Sequence, residues 1–193
     1  MSEDQLALRG RLPPELWVFA YGSLMWRPGF AFSERAPAAL IGAHRSLCIY
    51  SFHHRGTPEH PGLVLGLDEG GACRGITFCV AAEKSDETLA YLRAREQVTD
   101  VYVEAKKRVS LLDGSGRERE ALCYMADRGH PQYAGRLSLE RQADLVRSAA
   151  GLAGRNIDYV LNTVRHLEEA GIQDVELMAL AKRLTATSGA AKS

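Results

Sequence analysis

The run Trp17-Val-Phe-Ala-Tyr21-Gly-Ser-Leu24-Met-Trp26 begins as a short apolar strand and stops at a glycine. Its unbroken apolar character over residues 17–21 suits a strand buried on both faces. Gly22 has no Cβ, so the backbone there can turn sharply and approach a ligand closely. Successive N–H groups in such a turn form a small nest that attracts an anion, for example a carboxylate.

The neighbouring segments fit a sheet built around that strand. Residues 26–36 contain Pro28 and Gly29 and read as loop, and residues 38–50 hold a second strand ending in Leu47-Cys-Ile-Tyr50. A polar, Pro/Gly-rich loop follows over 53–62. Residues 63–67 and 73–80 are expected to pair as a hairpin turning at Asp68-Glu-Gly-Gly71. Ser85 starts a helix that carries Asp86 and Glu87 in its first turn, where the helix dipole favours them, and reaches about Gln97. A second hairpin pairs 102–112 with 119–126 around Asp113-Gly-Ser-Gly116. Three helices close the chain. Residues 139–150 are capped by Ser138 and stopped by Gly151. Residues 157–170 carry Ile157, Val160, Leu161, Val164 and Leu167 on one stripe, and residues 175–184 form the third.

Strands therefore come first, one helix is inserted, and helices come last. Regular alternation is missing, which favours an α+β (mixed α/β) fold over a doubly wound parallel sheet. The expected architecture is a small twisted β-barrel or mixed sheet with flanking helices. Residues 1–16 are expected as a flexible lead-in, 17–184 as a single domain and 185–193 as a disordered tail.

The chain has 193 residues, enough for a sizeable core without disulfides or metal, and its formal net charge is zero. A general nucleic-acid binder would need a basic surplus. No apolar run reaches membrane-spanning length and the N-terminus lacks a signal peptide's apolar core, so no membrane role and a cytoplasmic setting are expected. Cys48, Cys73, Cys79 and Cys123 form no Cys-x-x-Cys pair and read as reduced thiols used as small hydrophobes. Cys73 sits next to Arg74, which is the one hint of an activated thiol.

In the helix from Ser85, Leu89 and Leu92 mark the buried side. At about 100° per residue, Glu96 falls roughly 20° from Leu89, while Arg93 and Arg95 point elsewhere. A glutamate on that side loses hydration, which raises its pKa toward the range where one group can both take and give a proton. Position alone favours a plainer reading, a frayed helix end paired with Arg93 or a distant arginine. His53, His54 and His60 lack the helical spacing or cysteine partners of a metal site. Gly154-Arg-Asn156 before a helix suits an anion site or, more often, an Asn156 N-cap. Gly66-x-x-x-Gly70 lacks a phosphate loop's spacing and lysine, and no Gly-x-Ser-x-Gly elbow is present.

Together these pieces resemble the γ-glutamylcyclotransferases, in their ChaC-like, glutathione-specific branch. Val18-Phe19-Ala20-Tyr21-Gly22-Ser23-Leu24 resembles the family's substrate cradle, and Ser51 to Pro58 with Pro61 and Gly62 resembles its histidine-arginine-glycine loop. Tyr91-Leu-Arg-Ala-Arg-Glu96 is similar to the segment carrying the catalytic glutamate. Tyr133 and Gly154-Arg-Asn-Ile-Asp-Tyr159 match further branch features. Two departures stand out. Ala20 replaces a common glycine. A glycine-glycine-tyrosine stretch after the glutamate becomes Gln97-Val-Thr-Asp-Val-Tyr102, which retains the tyrosine but displaces it.

The resemblance implies a barrel with the cradle at its mouth and conversion of glutathione to 5-oxoproline and cysteinylglycine. Glu96 would be the general base and acid, the cradle would hold the α-carboxylate, and Arg55 would meet the glycine carboxylate. Tyr102 and Tyr133 would complete the substrate contacts. It implies no cofactor, no metal and a small-molecule partner, and a monomer is expected. Three alternatives stay open: turnover of γ-glutamyl-amino acids or γ-glutamylamines, a non-catalytic γ-glutamyl- or oxoproline-binding module, and a metal-dependent hydrolase using the loop histidines.

Overall fold

The computed structural model describes residues 15–96 and 100–186. The expected lead-in over 1–14, the tail over 187–193 and the displaced stretch Gln97-Val-Thr99 lie outside them. Leu16, the last residue of the expected lead-in, already belongs to the sheet as the first of strand β1 (Leu16–Ala20). Likewise the last helix continues through Thr185 to Ala186.

The barrel is closed and holds five strands in the order β1-β3-β2-β4-β5. Its members after β1 are β2 (Glu34–Ser51), β3 (Gly62–Val80), β4 (Tyr102–Leu111) and β5 (Glu118–Ala126). All neighbouring pairs are antiparallel except the closing contacts, Val18 against Leu122 and Leu67 against Met125, which are parallel. β1 pairs over its whole length with the last five residues of β3, and Val18, Phe19 and Ala20 are almost fully buried. That is the double burial its continuous apolar run requires.

The expected hairpin at Asp68–Gly71 does not form. β3 runs straight through as one 19-residue strand, and its partner is the 18-residue β2, with the polar loop 52–61 as the connection. Between the pairs Ile41↔Ala72 and Ala43↔Glu69, Gly42 stands opposite Gly70 and Gly71. All three have positive φ, at 91°, 92° and 70°. The glycines thus make a bulge rather than a turn. A bulge bends both strands and sharpens their twist, which lets two long strands wrap into a narrow barrel.

Helix α1 (Ser85–Glu96) crosses from β3 toward β4. After β5 come α2 (Leu139–Ser148), a two-stranded ribbon of β6 (Ala150–Gly151) and β7 (Gly154–Arg155), α3 (Asn156–Glu169) and α4 (Val175–Ala186). Ser138 Oγ accepts the Arg141 N–H at 3.2 Å, as its capping position predicts. Val146, Val160, Val164, Leu167, Leu180 and Leu184 join the barrel side chains in one cluster of buried residues running from Trp17 to Leu184. The four cysteines are free and buried. Among the described residues no helix is long and apolar enough to cross a membrane.

Candidate active site

A cavity of about 750 Å³ opens where the barrel wall is incomplete. Along β3, residues 63–66 pair with β2 on one edge, while β1 takes up the other edge only from Ile76. The bare ladder groups are satisfied by side chains instead. Asn156 Oδ1 accepts the Leu63 N–H at 2.7 Å and its Nδ2 donates to the Leu63 carbonyl at 2.8 Å. Tyr159 Oη accepts the Leu65 N–H at 3.1 Å, and Tyr102 donates its hydroxyl to the Leu65 carbonyl at 2.8 Å. Buried backbone groups left without partners would be costly, so these bonds let the sheet end beside an open space.

The turn after β1 forms one wall. Ser23–Met25 make a single 3-10 turn in which Met25 N–H bonds Gly22 O and Arg27 N–H bonds Ser23 O. The N–H groups at its start have no acceptor within the turn. A Cβ built on Gly22 would meet only Leu65 Cδ1, at an ordinary 3.5 Å. Packing therefore does not demand glycine at this position, and the room it leaves belongs to the cavity. Beneath the turn the buried Arg45 guanidinium donates to the Tyr21 carbonyl, to Arg74 O at 2.7 Å and to Asp174 Oδ2 at 3.1 Å.

Glu96 lines the same cavity from the end of α1. Its side chain is 19% exposed. Burial raises its pKa above the usual carboxylate range, and the Arg95 guanidinium, 3.1 Å away, opposes part of that rise. Glu96 is thus desolvated, as its helical position suggests, and it also pairs with an arginine, though with neither Arg93 nor a distant one. The partner is Arg95, which turns toward the cavity instead of away from it. Tyr21, Tyr102, Tyr124 and Tyr159 also line the cavity. Burial pushes the hydroxyls of Tyr21 and Tyr102 well up, so they stay neutral near pH 7.

Of the residues singled out from sequence, Phe19, Tyr21, Gly22, Ser23, Leu24, Arg55, Glu96 and Tyr102 line this cavity together. Val18 and Ala20 lie behind it in the core. Tyr133 is placed elsewhere: its hydroxyl donates to Asp68 Oδ2 at 2.8 Å, alongside Arg128 Nε at 2.7 Å. Burial would raise the Asp68 pKa, yet the bonds from Arg128, Tyr133 and the Glu69 N–H outweigh it and lower the value. Asn156 is neither an N-cap nor an anion ligand, because its amide is spent on Leu63. Arg55 places one Nη on Ala153 O at 2.6 Å and lies over the Tyr159 ring, 5.3 Å from its centroid.

Sequence reasoning missed Arg45 under the turn, Tyr124, and Asn162 and Arg165, which continue the cavity lining of α3 past the quoted Asp158 and Tyr159. Tyr124 sits mid-strand among apolar residues, where no local pattern marks a site. Cys73 is buried with its pKa raised by desolvation, which removes the hint of activation by Arg74. Burial pushes the Cys48 thiol up to about 12 and Cys123 up to about 11, so these thiols are inert near neutrality. Among the described residues, no cluster of three His, Cys, Asp or Glu side chains could hold a metal ion.

A family model described as ChaC-like protein matches residues 16–187. The chain is 33% identical over 174 residues to the glutathione-specific γ-glutamylcyclotransferase of Escherichia coli (strain K12), a match covering 89% of this chain and 74% of that protein. It is 32% identical over 172 residues to glutathione-specific γ-glutamylcyclotransferase 1 of Homo sapiens, covering 87% and 78%. A solved yeast γ-glutamyl cyclotransferase specific to glutathione superposes with a TM-score of 0.80 at 22% identity, over 89% of this chain and 96% of that one. YkqA from Bacillus subtilis superposes at 0.55 and 18% identity, over 95% of this chain and 58% of that one. These last two likenesses concern the fold.

Proposed function

The chain belongs to the ChaC-like protein family, and from that premise we propose that it is a γ-glutamylcyclotransferase converting glutathione to 5-oxoproline and cysteinylglycine. The observation that carries this reading is a desolvated carboxylate, Glu96, lining the same cavity of about 750 Å³ as the glycine turn, within the usual range for a small-molecule site.

The chemistry is an internal acyl transfer. The substrate's α-ammonium gives a proton to Glu96. The neutral amine attacks the γ-carbonyl carbon, closing a five-membered lactam as the new C–N bond forms. The old amide C–N bond breaks as its nitrogen takes that proton back from Glu96. The second proton, lost from the ring nitrogen, passes by way of Glu96 to the released amine of cysteinylglycine, which departs as ammonium. Atoms and charge balance without water, metal or a redox group. A carboxyl with a raised pKa suits both transfers, because it is a stronger base than an ordinary glutamate and can still give the proton back. Bending the γ-glutamyl chain into attack geometry falls to the turn Tyr21-Gly22-Ser23-Leu24. Its leading N–H groups, which find no acceptor inside the turn, hold the α-carboxylate, and losing freedom on binding lowers the barrier that follows. The Arg55 fork, anchored through Ala153 O, presents its remaining N–H groups to the glycine carboxylate.

The core residues Val18 and Ala20 support the cradle from behind, and Tyr133 secures the Asp68 corner instead of touching substrate. Free buried thiols fit a reducing, cytoplasmic setting. The large exposed apolar side chains Ile41, Leu152 and Val175 lie on separate elements, which supports a monomer.

A substrate panel tests the choice of substrate. With glutathione and γ-glutamyl-alanine at equal concentration, 5-oxoproline release is expected to be at least about tenfold faster from glutathione. Arg55→Ala is expected to raise the Michaelis constant for glutathione. Faster release from γ-glutamyl-alanine would transfer the activity to γ-glutamyl-amino acids.

A further inference from the structure

Glu96 and the cradle come from elements with no shared backbone bond, yet the proposed proton transfer needs them in fixed relation. One guanidinium spans the gap. Arg95 donates from Nη2 to Ser23 Oγ at 2.8 Å and from Nη1 to Arg27 O at 2.9 Å and Tyr91 Oη at 3.0 Å. Its Nε faces Glu96 Oε1 at 3.1 Å. The planar fork thus grips the carboxylate, the side chain at the start of the turn and the backbone just past its end. Arg93 on the same helix is a useful contrast. It pairs bidentately with Glu104 on β4 at 2.7 and 2.9 Å and is half exposed, which is an ordinary surface ion pair.

We propose that Arg95 is a positioning residue for the cyclisation, holding the Ser23 hydroxyl and the Glu96 carboxylate against the same bound γ-glutamyl group. The inference rests on the reading of Glu96 as proton carrier. The titratable groups facing Glu96 are Tyr21 from the end of β1, Tyr102 on β4, Tyr124 on β5 and Tyr159 on α3, with Arg95 from its own helix. The tyrosines are neutral near pH 7, so Arg95 is the cation in contact with the carboxylate. It works against burial and keeps Glu96 ionisable. Removing it leaves Glu96 protonated to higher pH, where it cannot accept the ammonium proton. Lysine would restore the charge but not the fork, because an ammonium cannot reach Ser23, Arg27 and Glu96 in one plane.

The test uses the intact protein with Arg95→Gln and Arg95→Lys. Two readouts are followed against pH: turnover of glutathione, and NMR titration of carboxyl-labelled glutamates with the Glu96 signal assigned from Glu96→Gln. Arg95→Gln is expected to move the acid limb of kcat/KM and the Glu96 midpoint upward together, with kcat/KM near pH 7 lower by about ten- to a hundredfold. Arg95→Lys is expected to return the limb toward wild type while KM stays raised. Equal loss at every pH with an unmoved midpoint would make Arg95 purely structural and overturn the proposal, as would wild-type behaviour of either variant. Should Arg95→Gln fail to fold, the split between limb and KM in Arg95→Lys decides alone. If the wild type releases no 5-oxoproline from glutathione, the functional reading falls, while the NMR midpoint still reports whether Arg95 controls Glu96.

Discussion

Glu96 is held in a place that does not favour its charge. Burial raises its pKa, and Arg95 cancels only part of the rise. In the unfolded chain the same carboxyl titrates in the ordinary range, so the folded protein binds its proton more tightly. The group's contribution to stability is full below the unfolded pKa and is lost as pH rises toward the higher folded value. Glu96→Gln is therefore expected to melt at or above the wild-type temperature at pH 7. The difference should close as the pH falls below the carboxylate range. Turnover should drop by at least about a hundredfold. Thermal melts by circular dichroism at several pH values, together with turnover, check both halves. A lower melting temperature at pH 7 would mean that the pair with Arg95 matters more to the fold than the burial penalty. Near-normal turnover would remove Glu96 from the mechanism. The position of Glu96 was legible because helical periodicity puts it near Leu89. The turn of Arg95 toward it was not, since a long side chain reaches around a helix face that periodicity assigns to its Cβ.

At the scale of elements, α3 is tied to the sheet through Asn156 more than through any cap. The amide is fully buried and satisfies both backbone groups of Leu63, itself fully buried. Alanine there would leave an N–H and a carbonyl buried without partners, at about 1–3 kcal/mol each. Asn156→Ala is expected to lower unfolding free energy by about 2–4 kcal/mol in urea titration with an unchanged slope. A loss under about 0.5 kcal/mol would mean that the strand edge finds other partners. Nothing local in Gly154-Arg-Asn156 shows this, because an Asn before a helix reads as a cap and its true partners are 93 residues away. The same distance problem explains the hairpin expected at Asp68–Gly71. Gly70 and Gly71 do take the positive φ that a turn would use, but pairing with β2 makes them part of a bulge. By contrast, the hairpin over β4 and β5 and the three closing helices were legible, because short-range turns, caps and stripes suffice for them.

For the whole molecule, the strand-first, helix-last order pointed to a small barrel or a mixed sheet with flanking helices, and the structure resolves the choice as a closed barrel. What the order could not supply was where the wall opens. The site exists because β1 stops pairing with β3 before residues 63–66, and side chains from β4 and α3 finish that edge around a cavity. This makes the pocket a property of the assembled barrel, with the cradle and Glu96 both on its lining. The most direct test of this account is to incubate the purified protein with glutathione in the presence of a chelator and follow products by mass spectrometry. Equimolar 5-oxoproline and cysteinylglycine, with no free glutamate, is the result the account predicts. Free glutamate would mean that water, not the substrate's own amine, attacks the carbonyl, and would contradict it; so would no product at all.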